Sequence, residues 1–178
     1  MVLKPQDLVI ALKVLTLGKE IWSQRSLAAA LDLSLSEVNT GLKRGVAARL
    51  LIASENRKAG SKPNRHGLEE FIVHGVAYAF PSERGPLGRG VPTGVLGPDL
   101  RKEIDAKENE GPVWPYAKGN LRGYSLAPLY PSVPAAMLKP ENEKLYRLLA
   151  LVDAFREGRV RERRISERVL KAILKEKN

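Results

Sequence analysis

The chain of 178 residues contains no cysteine. That excludes disulfides, thiolate catalysis and cysteine-ligated zinc, and it fits a reducing compartment. Aromatic residues are scarce at 6%, and there are two histidines. No apolar run reaches membrane-spanning length. The one segment resembling a signal peptide, MVLKPQDLVIALKVLTLG, is interrupted by Asp7 and Lys13 and is followed by no small-residue cleavage site. These absences predict a soluble cytoplasmic protein with no membrane partner. Internal repeats and low-complexity tracts are also lacking. The chain is 43% hydrophobic, enough apolar material for a real core in one domain or two small ones.

The net charge is +10, and its distribution is uneven. Residues 1–66 hold 11 bases against 5 acids, residues 67–140 hold 8 of each, and residues 141–178 hold 11 against 7. Within the first part, Lys43, Arg44, Arg49, Arg57, Lys58, Lys62 and Arg65 face only Glu55. Basicity gathered in so short a segment is the footprint of a polyanion partner, or else of a solubilising surface.

Periodicity predicts a mainly α protein. A first helix runs from about Pro5 to Leu17, with Leu8, Ala11, Leu12 and Leu15 as its apolar stripe and Gly18 as its stop. A second begins at the cap Ser23, with Trp22 and Leu27 at staple positions. After the tight turn "DLS" a third helix opens at Ser34. Glu37 there completes a capping box, Leu33 and Val38 form the staple, and the helix runs to about Ala48. "RLLIAS" reads as a short strand and "ENRKAGSKPNR" as an exposed basic loop, with no second strand evident after it. A further helix is expected from about Asn64 to Phe80, carrying Leu68, Phe71, Ile72, Gly75 and Ala79 on one stripe.

Residues 81–134 hold nine of the 12 prolines and eight of the 15 glycines, so an irregular, extended middle is expected there. "PVWPYA" and "RGYSLAPLYPSVP" are its two candidates for short strands. Trp114, Tyr116, Tyr124 and Tyr130, interleaved with Lys118 and Arg122, suit core covering first, and base stacking or a protein grip second. Two helices follow. Leu145, Leu148, Leu149, Val152 and Phe155 mark one, and Ile165, Val169, Ala172 and Ile173 mark the other. They make a C-terminal hairpin or, through Leu145, Leu149, Val152, Ile165 and Val169, a homodimer interface. The expected parts are residues 1–80, 81–140 and 141–178.

A step of 100° per residue along the third helix puts Val38, Gly41, Leu42, Gly45 and Arg49 on one side. Ser36, Asn39, Thr40, Lys43 and Ala47 fall on the other, with Arg44 flanking. Amide, hydroxyl and cationic tips on one helix face match base edges and phosphates of a duplex major groove. "RSLAAALDLSLSEVNTGLKR", with Leu27, Ala28, Leu31, Leu33, Ser34, Val38 and Leu42 at the expected intervals, resembles the helix-turn-helix of bacterial MarR-like winged-helix transcriptional regulators. The resemblance covers residues 6–65. Asp32 stands where many such turns have glycine. The resemblance implies DNA contact by Ser36, Asn39, Thr40, Lys43 and Arg44, with wing or phosphate contacts from Arg57, Lys58 and Lys62. It further implies a homodimer that places two such helices roughly 34 Å apart on double-stranded DNA. The Pro-rich middle behind such a head also resembles antitoxins, which makes a protein-interaction module that binds a partner through residues 81–134 the alternative.

Other patterns carry less. His66, Glu70 and His74 share a helix face but have no further ligand, so no metal is expected. Glu69 and Glu70 diverge as helix neighbours and form no acid–base pair. "RGPLGRGVPTG" lacks the lysine and helix of a phosphate loop. Arg159, Arg161, Arg163, Arg164 and Arg168, set among Glu162 and Glu167, read as a solvated helix face first, and as supplementary phosphate contacts or dimer pairing second. No enzyme and no cofactor are expected.

Overall fold

A computed structural model describes residues 1–54 and 60–176. Helix α1 spans Pro5–Leu17, with the proline in its first turn, and the Lys4 N–H donates to Asp7 Oδ2 at 2.7 Å. Every residue from Asp7 to Leu15 is buried, so α1 is a central helix and not the one-sided stripe expected from its leucines. The sequence DLVIALKVL is apolar on all sides apart from two charged residues, and both of these find partners. Asp7 binds Arg44, and Lys13 Nζ donates to the Glu141 carbonyl at 2.7 Å. Burial lowers the Lys13 pKa, with Glu141 and Glu20 opposing the shift.

Helices α2 (Gln24–Leu31) and α3 (Leu35–Ala47) begin as their capping residues dictate. Ser23 Oγ accepts from Ser26 N at 3.0 Å. Ser34 Oγ accepts from Glu37 N at 3.2 Å, while Ser34 N donates back to Glu37 Oε2 at 2.8 Å. Between the helices Asp32 takes the left-handed conformation at φ 52°, and Lys139 Nζ holds its carboxylate at 2.6 Å. Aspartate tolerates that conformation better than most residues with a Cβ, so the turn forms without glycine.

Strand β1 (Leu51–Ile52) pairs antiparallel with β2 (Lys62–Pro63), Leu51 opposite Pro63. The sequence showed no second strand because two residues, one of them proline, are too short to leave a pattern. The expected helix over 64–80 is in three pieces: α4 (Arg65–Glu70), a π turn at Phe71–Gly75, and α5 (Val76–Ala79). The wider π turn keeps every fourth residue on the buried line. Leu68, Ile72 and Val76 are therefore buried, and Ala79 is exposed, contrary to the α-helical stripe.

The middle of the chain is more regular than its proline and glycine content predicts. Strands β3 (Arg84–Pro92), β4 (Pro112–Pro115) and β5 (Leu121–Leu126) close on one another, each pairing with the other two. β3 runs antiparallel to both neighbours, and β4 is parallel to β5. So small a closure forces backbones together. A Cβ on Gly90 would lie 2.2 Å from the Trp114 carbonyl oxygen, and one on Gly123 would lie 2.3 Å from that of Gly111. The glycines that suggested loop are what permit the sheet. Short helices α6 (Arg101–Ile104) and α7 (Val133–Ala136) complete the segment.

Helix α8 (Glu143–Glu157) is the second central element, buried at Leu145 and continuously from Leu148 to Arg156. Helix α9 (Val160–Lys175) covers it, burying Ser166, Leu170 and Leu174. Of the residues the sequence offered for a hairpin or a dimer interface, Leu145, Leu149 and Val152 are buried in the chain's own core. Ile165 and Val169 pack against the same core, and Ala172 is exposed. One buried cluster runs through all three expected parts, joining Leu12 and Val38 to Val91, Trp114, Leu148 and Leu170. Asp153 fastens the sheet to α8. Its Oδ2 accepts from Thr93 Oγ1 at 2.7 Å and from Trp114 Nε1 at 2.6 Å, while Oδ1 accepts from Arg156 Nη1 at 2.6 Å. The chain is mainly α with a few short strands, and among the described residues no helix is long and apolar enough to cross a membrane.

Candidate nucleic-acid interface

The inner side of α3 is set by two glycines. Gly41 lies against Ile10 of α1, where an added Cβ would approach Cδ1 to 2.4 Å, and Gly45 lies against Leu51 of β1. Val38, Gly41, Leu42 and Gly45 are buried, as the helical step predicts. With that side fixed, Ser36, Thr40, Lys43 and Ala47 point into solvent and Asn39 is half-buried at the edge. Thr40 Oγ1 donates back to the Ser36 carbonyl at 2.8 Å, which leaves its lone pairs outward. Asn39 Nδ2 donates to Gln24 Oε1 at 3.0 Å, so the amide is oriented by the first residue of α2.

Arg44 is not part of this exposed set. Its Nε and Nη2 form a two-pronged pair with the Asp7 carboxylate at 2.6 and 2.7 Å, and its side chain is only 10% exposed. The Asp7 bond raises the Arg44 pKa against the cost of burial. Its guanidinium therefore joins α3 to α1, and the expected DNA contact at this position is replaced by a scaffold contact. On the helical wheel Arg44 lies at the boundary of the two faces, and only Asp7, 37 residues away, draws it inward.

Lys62 is exposed on β2, opposite Ile52 of β1. Arg57 and Lys58 lie outside the described residues. The hairpin leans on the start of α2: Gly60 has φ +66°, and a Cβ there would lie 2.6 Å from the Trp22 ring. Between α2, α3 and the hairpin runs a groove of about 760 Å³, floored by Trp22, Leu42 and Val46, with Gln24, Asn39 and Lys43 among its polar lining. Sequence reasoning missed Gln24 as the partner of Asn39. Its place at the first position of a helix that crosses α3 was the available signal.

The N-terminus of α3 is also tied to the distant chain. Tyr130 Oη donates to Glu37 Oε1 in a short hydrogen bond, and Ser132 Oγ donates to the Leu31 carbonyl at 2.7 Å. Bonds from Ser34 first, then from Tyr130, hold the Glu37 carboxyl down to about 2. The other aromatics of the middle are engaged too. Trp114 is buried on Asp153, Tyr116 packs against the core and Tyr124 Oη donates to Glu157 at 2.8 Å, while on α8 Tyr146 Oη donates to the Pro92 carbonyl at 2.7 Å. Burial pushes the Tyr146 phenol up to about 12. These rings cover the core and are not stacked outward for bases. Comparison of the chain with family models, curated proteins and solved structures found no match.

Proposed function

We propose that α2, α3 and the β1–β2 hairpin act as a winged helix-turn-helix that binds double-stranded DNA, and that the protein is a sequence-specific transcriptional regulator. The observation that carries this reading is the division of α3. Its inner side is locked by Gly41 and Gly45 against α1 and β1, and its outer side presents Ser36, Thr40 and Lys43 to solvent, with Asn39 half-buried at the edge and held by Gln24. A duplex major groove admits a helix of this size, asparagine pairs with adenine edges and lysine with guanine. Lys62 on the hairpin, with Arg25 on α2 and Arg49 just after α3 also exposed, supplies phosphate contacts. A dimer on a palindromic site would have to use a surface other than α8, whose apolar residues are already covered.

The test is selection of bound fragments from a random duplex pool, followed by affinity measurement on the selected sequence. Asn39→Ala combined with Lys43→Ala lowers that affinity at least about tenfold, the loss of one good base contact, while the fold is retained. Unchanged affinity and unchanged salt slope in the folded double variant would sink the groove-facing assignment.

A further inference from the structure

Far from α3 in sequence, strands β3 and β5 carry a feature that the fold alone does not explain. Arg89 and Arg122 stand directly opposite one another in the antiparallel ladder, both exposed. Like charges in that relationship destabilise a sheet. The next pair on the same face is Leu87 opposite Tyr124, and the Arg84 guanidinium sits 4.6 Å from the centre of the Tyr124 ring. The α8–α9 junction adjoins this face through Glu157 and the charge of Glu162. Tyr124 donates to Glu157, Arg84 pairs with the same carboxylate, and Gly158 leads directly into the helix. The Glu162 charge acts on the Tyr124 phenol, whose pKa is raised first by burial and then by Glu157. Arg159, Arg161 and Arg164, all exposed, follow within the first turns.

Two of the nearby carboxylates are already committed. Glu157 is held by Arg84 and Tyr124, and Glu162 Oε2 accepts from Arg159 N at 2.6 Å. On the far side the Asn109 N–H binds the Arg122 carbonyl, so Glu108 and Glu110 border the face; Glu108 pairs with Arg101, and the exposed Glu110 has no ion pair among the described residues. Arg89, Arg122, Arg161 and Arg164 have no carboxylate partner among the described residues. All four are arginines, whose planar donor forks suit phosphate oxygens.

We propose that this arginine face, built from β3, β5 and the start of α9, is a second nucleic-acid surface that holds duplex phosphates without reading sequence. It rests on the reading of the chain as a duplex binder and adds a contact that α3 does not make. An anionic backbone relieves the Arg89–Arg122 repulsion by charge complementarity, and the absence of an outward stack of free aromatic rings argues against single strands.

The experiment measures binding of the full chain to a random-sequence 30-base-pair duplex across a salt series, beside thermal unfolding. Arg89→Gln with Arg122→Gln should lower affinity at about 0.15 M salt roughly tenfold or more and reduce the salt slope by about two. Arg161→Gln with Arg164→Gln, on a separate element, should act likewise and serves if the first pair disturbs the sheet. Unchanged slope in both variants, with unchanged unfolding, overturns the proposal. So does loss of binding only to vesicles of phosphatidylserine and phosphatidylcholine while duplex binding persists, which would assign the face to lipid. Asn39→Ala with Lys43→Ala separates the two readings. If that variant leaves even selected-site binding intact while the arginine variants lose duplex, the groove reading fails and this face stands. If only the α3 variant weakens binding, this face fails alone.

Discussion

Arg44 and Asp7 form a two-pronged ion pair across the crossing of α3 and α1, with the carboxylate fully buried and the guanidinium nearly so. Asp7 Oδ2 also accepts from the Lys4 backbone, so one side chain starts α1 and anchors α3. Removing only the cation leaves a buried carboxylate unpaired. Arg44→Ala is therefore expected to cost about 3 kcal/mol of stability in urea unfolding. Duplex binding by the folded fraction should keep its salt slope, since this guanidinium is already engaged. A slope lowered by about one unit, with stability unchanged, would return Arg44 to the binding face.

Glu37 gives the protein an acid-sensitive contact. Its carboxyl is held at about 2, below an ordinary value of 4.5, by bonds from Ser34 and Tyr130. A depressed pKa means the folded state favours the ionised form. The stabilisation is fully present above about pH 4.5 and is lost as pH falls toward about 2. The advantage of wild type over Glu37→Gln in melting temperature should therefore shrink steadily across that window. An advantage that stays constant from pH 7 to pH 2.5 would show that the carboxylate contributes nothing through these bonds. Tyr130→Phe should cost about 1 kcal/mol at neutral pH, a modest figure because the contact is close to solvent.

The closed sheet predicts a contrast between two glycines. Gly90→Ala drives a Cβ to 2.2 Å from the Trp114 carbonyl, where backbone must move, so the variant is expected to lose about 3 kcal/mol or more. Gly45→Ala meets only the Leu51 side chain at 3.0 Å and gains helix propensity worth about 1 kcal/mol, leaving stability within about 1 kcal/mol of wild type. Chemical unfolding of the two variants side by side decides this. Equal losses would mean that the approach of β3 to β4 is looser than the geometry requires.

What could be read from the residues alone follows the range of the forces involved. The capping box of Ser34 and Glu37, the limits of α1 and the left-handed Asp32 are decided within a few neighbours, and each was legible. The outward set Ser36, Thr40 and Lys43 was legible for the same reason, since a helical step fixes its direction. The β3 strand was not legible, because RGPLGRGVP has no alternation and its glycines serve contacts with Trp114 and Ser125, far along the chain. Nor was the fate of Arg44, which depends on a carboxylate in another helix. The α4–α5 stripe slipped by one position because a π turn leaves no local mark between Phe71 and Gly75.

Asn39 offers a last and finer test of the α3 surface. Its Nδ2 is bound by Gln24 Oε1 at 3.0 Å, which turns the amide and limits its rotamers before any ligand arrives. Base-edge recognition gains from such preorganisation, because less side-chain freedom remains to be lost on binding. Gln24→Ala removes the constraint and leaves every side chain of α3 in place. Binding to the selected duplex should weaken about threefold to tenfold, while binding to random duplex and its salt slope hold, because phosphate contacts do not involve the amide. If both duplexes weaken equally, Gln24 is a phosphate contact and Asn39 is not a reader. If neither changes, the hydrogen bond has no part in recognition, and the orientation of Asn39 must be set by the groove it enters.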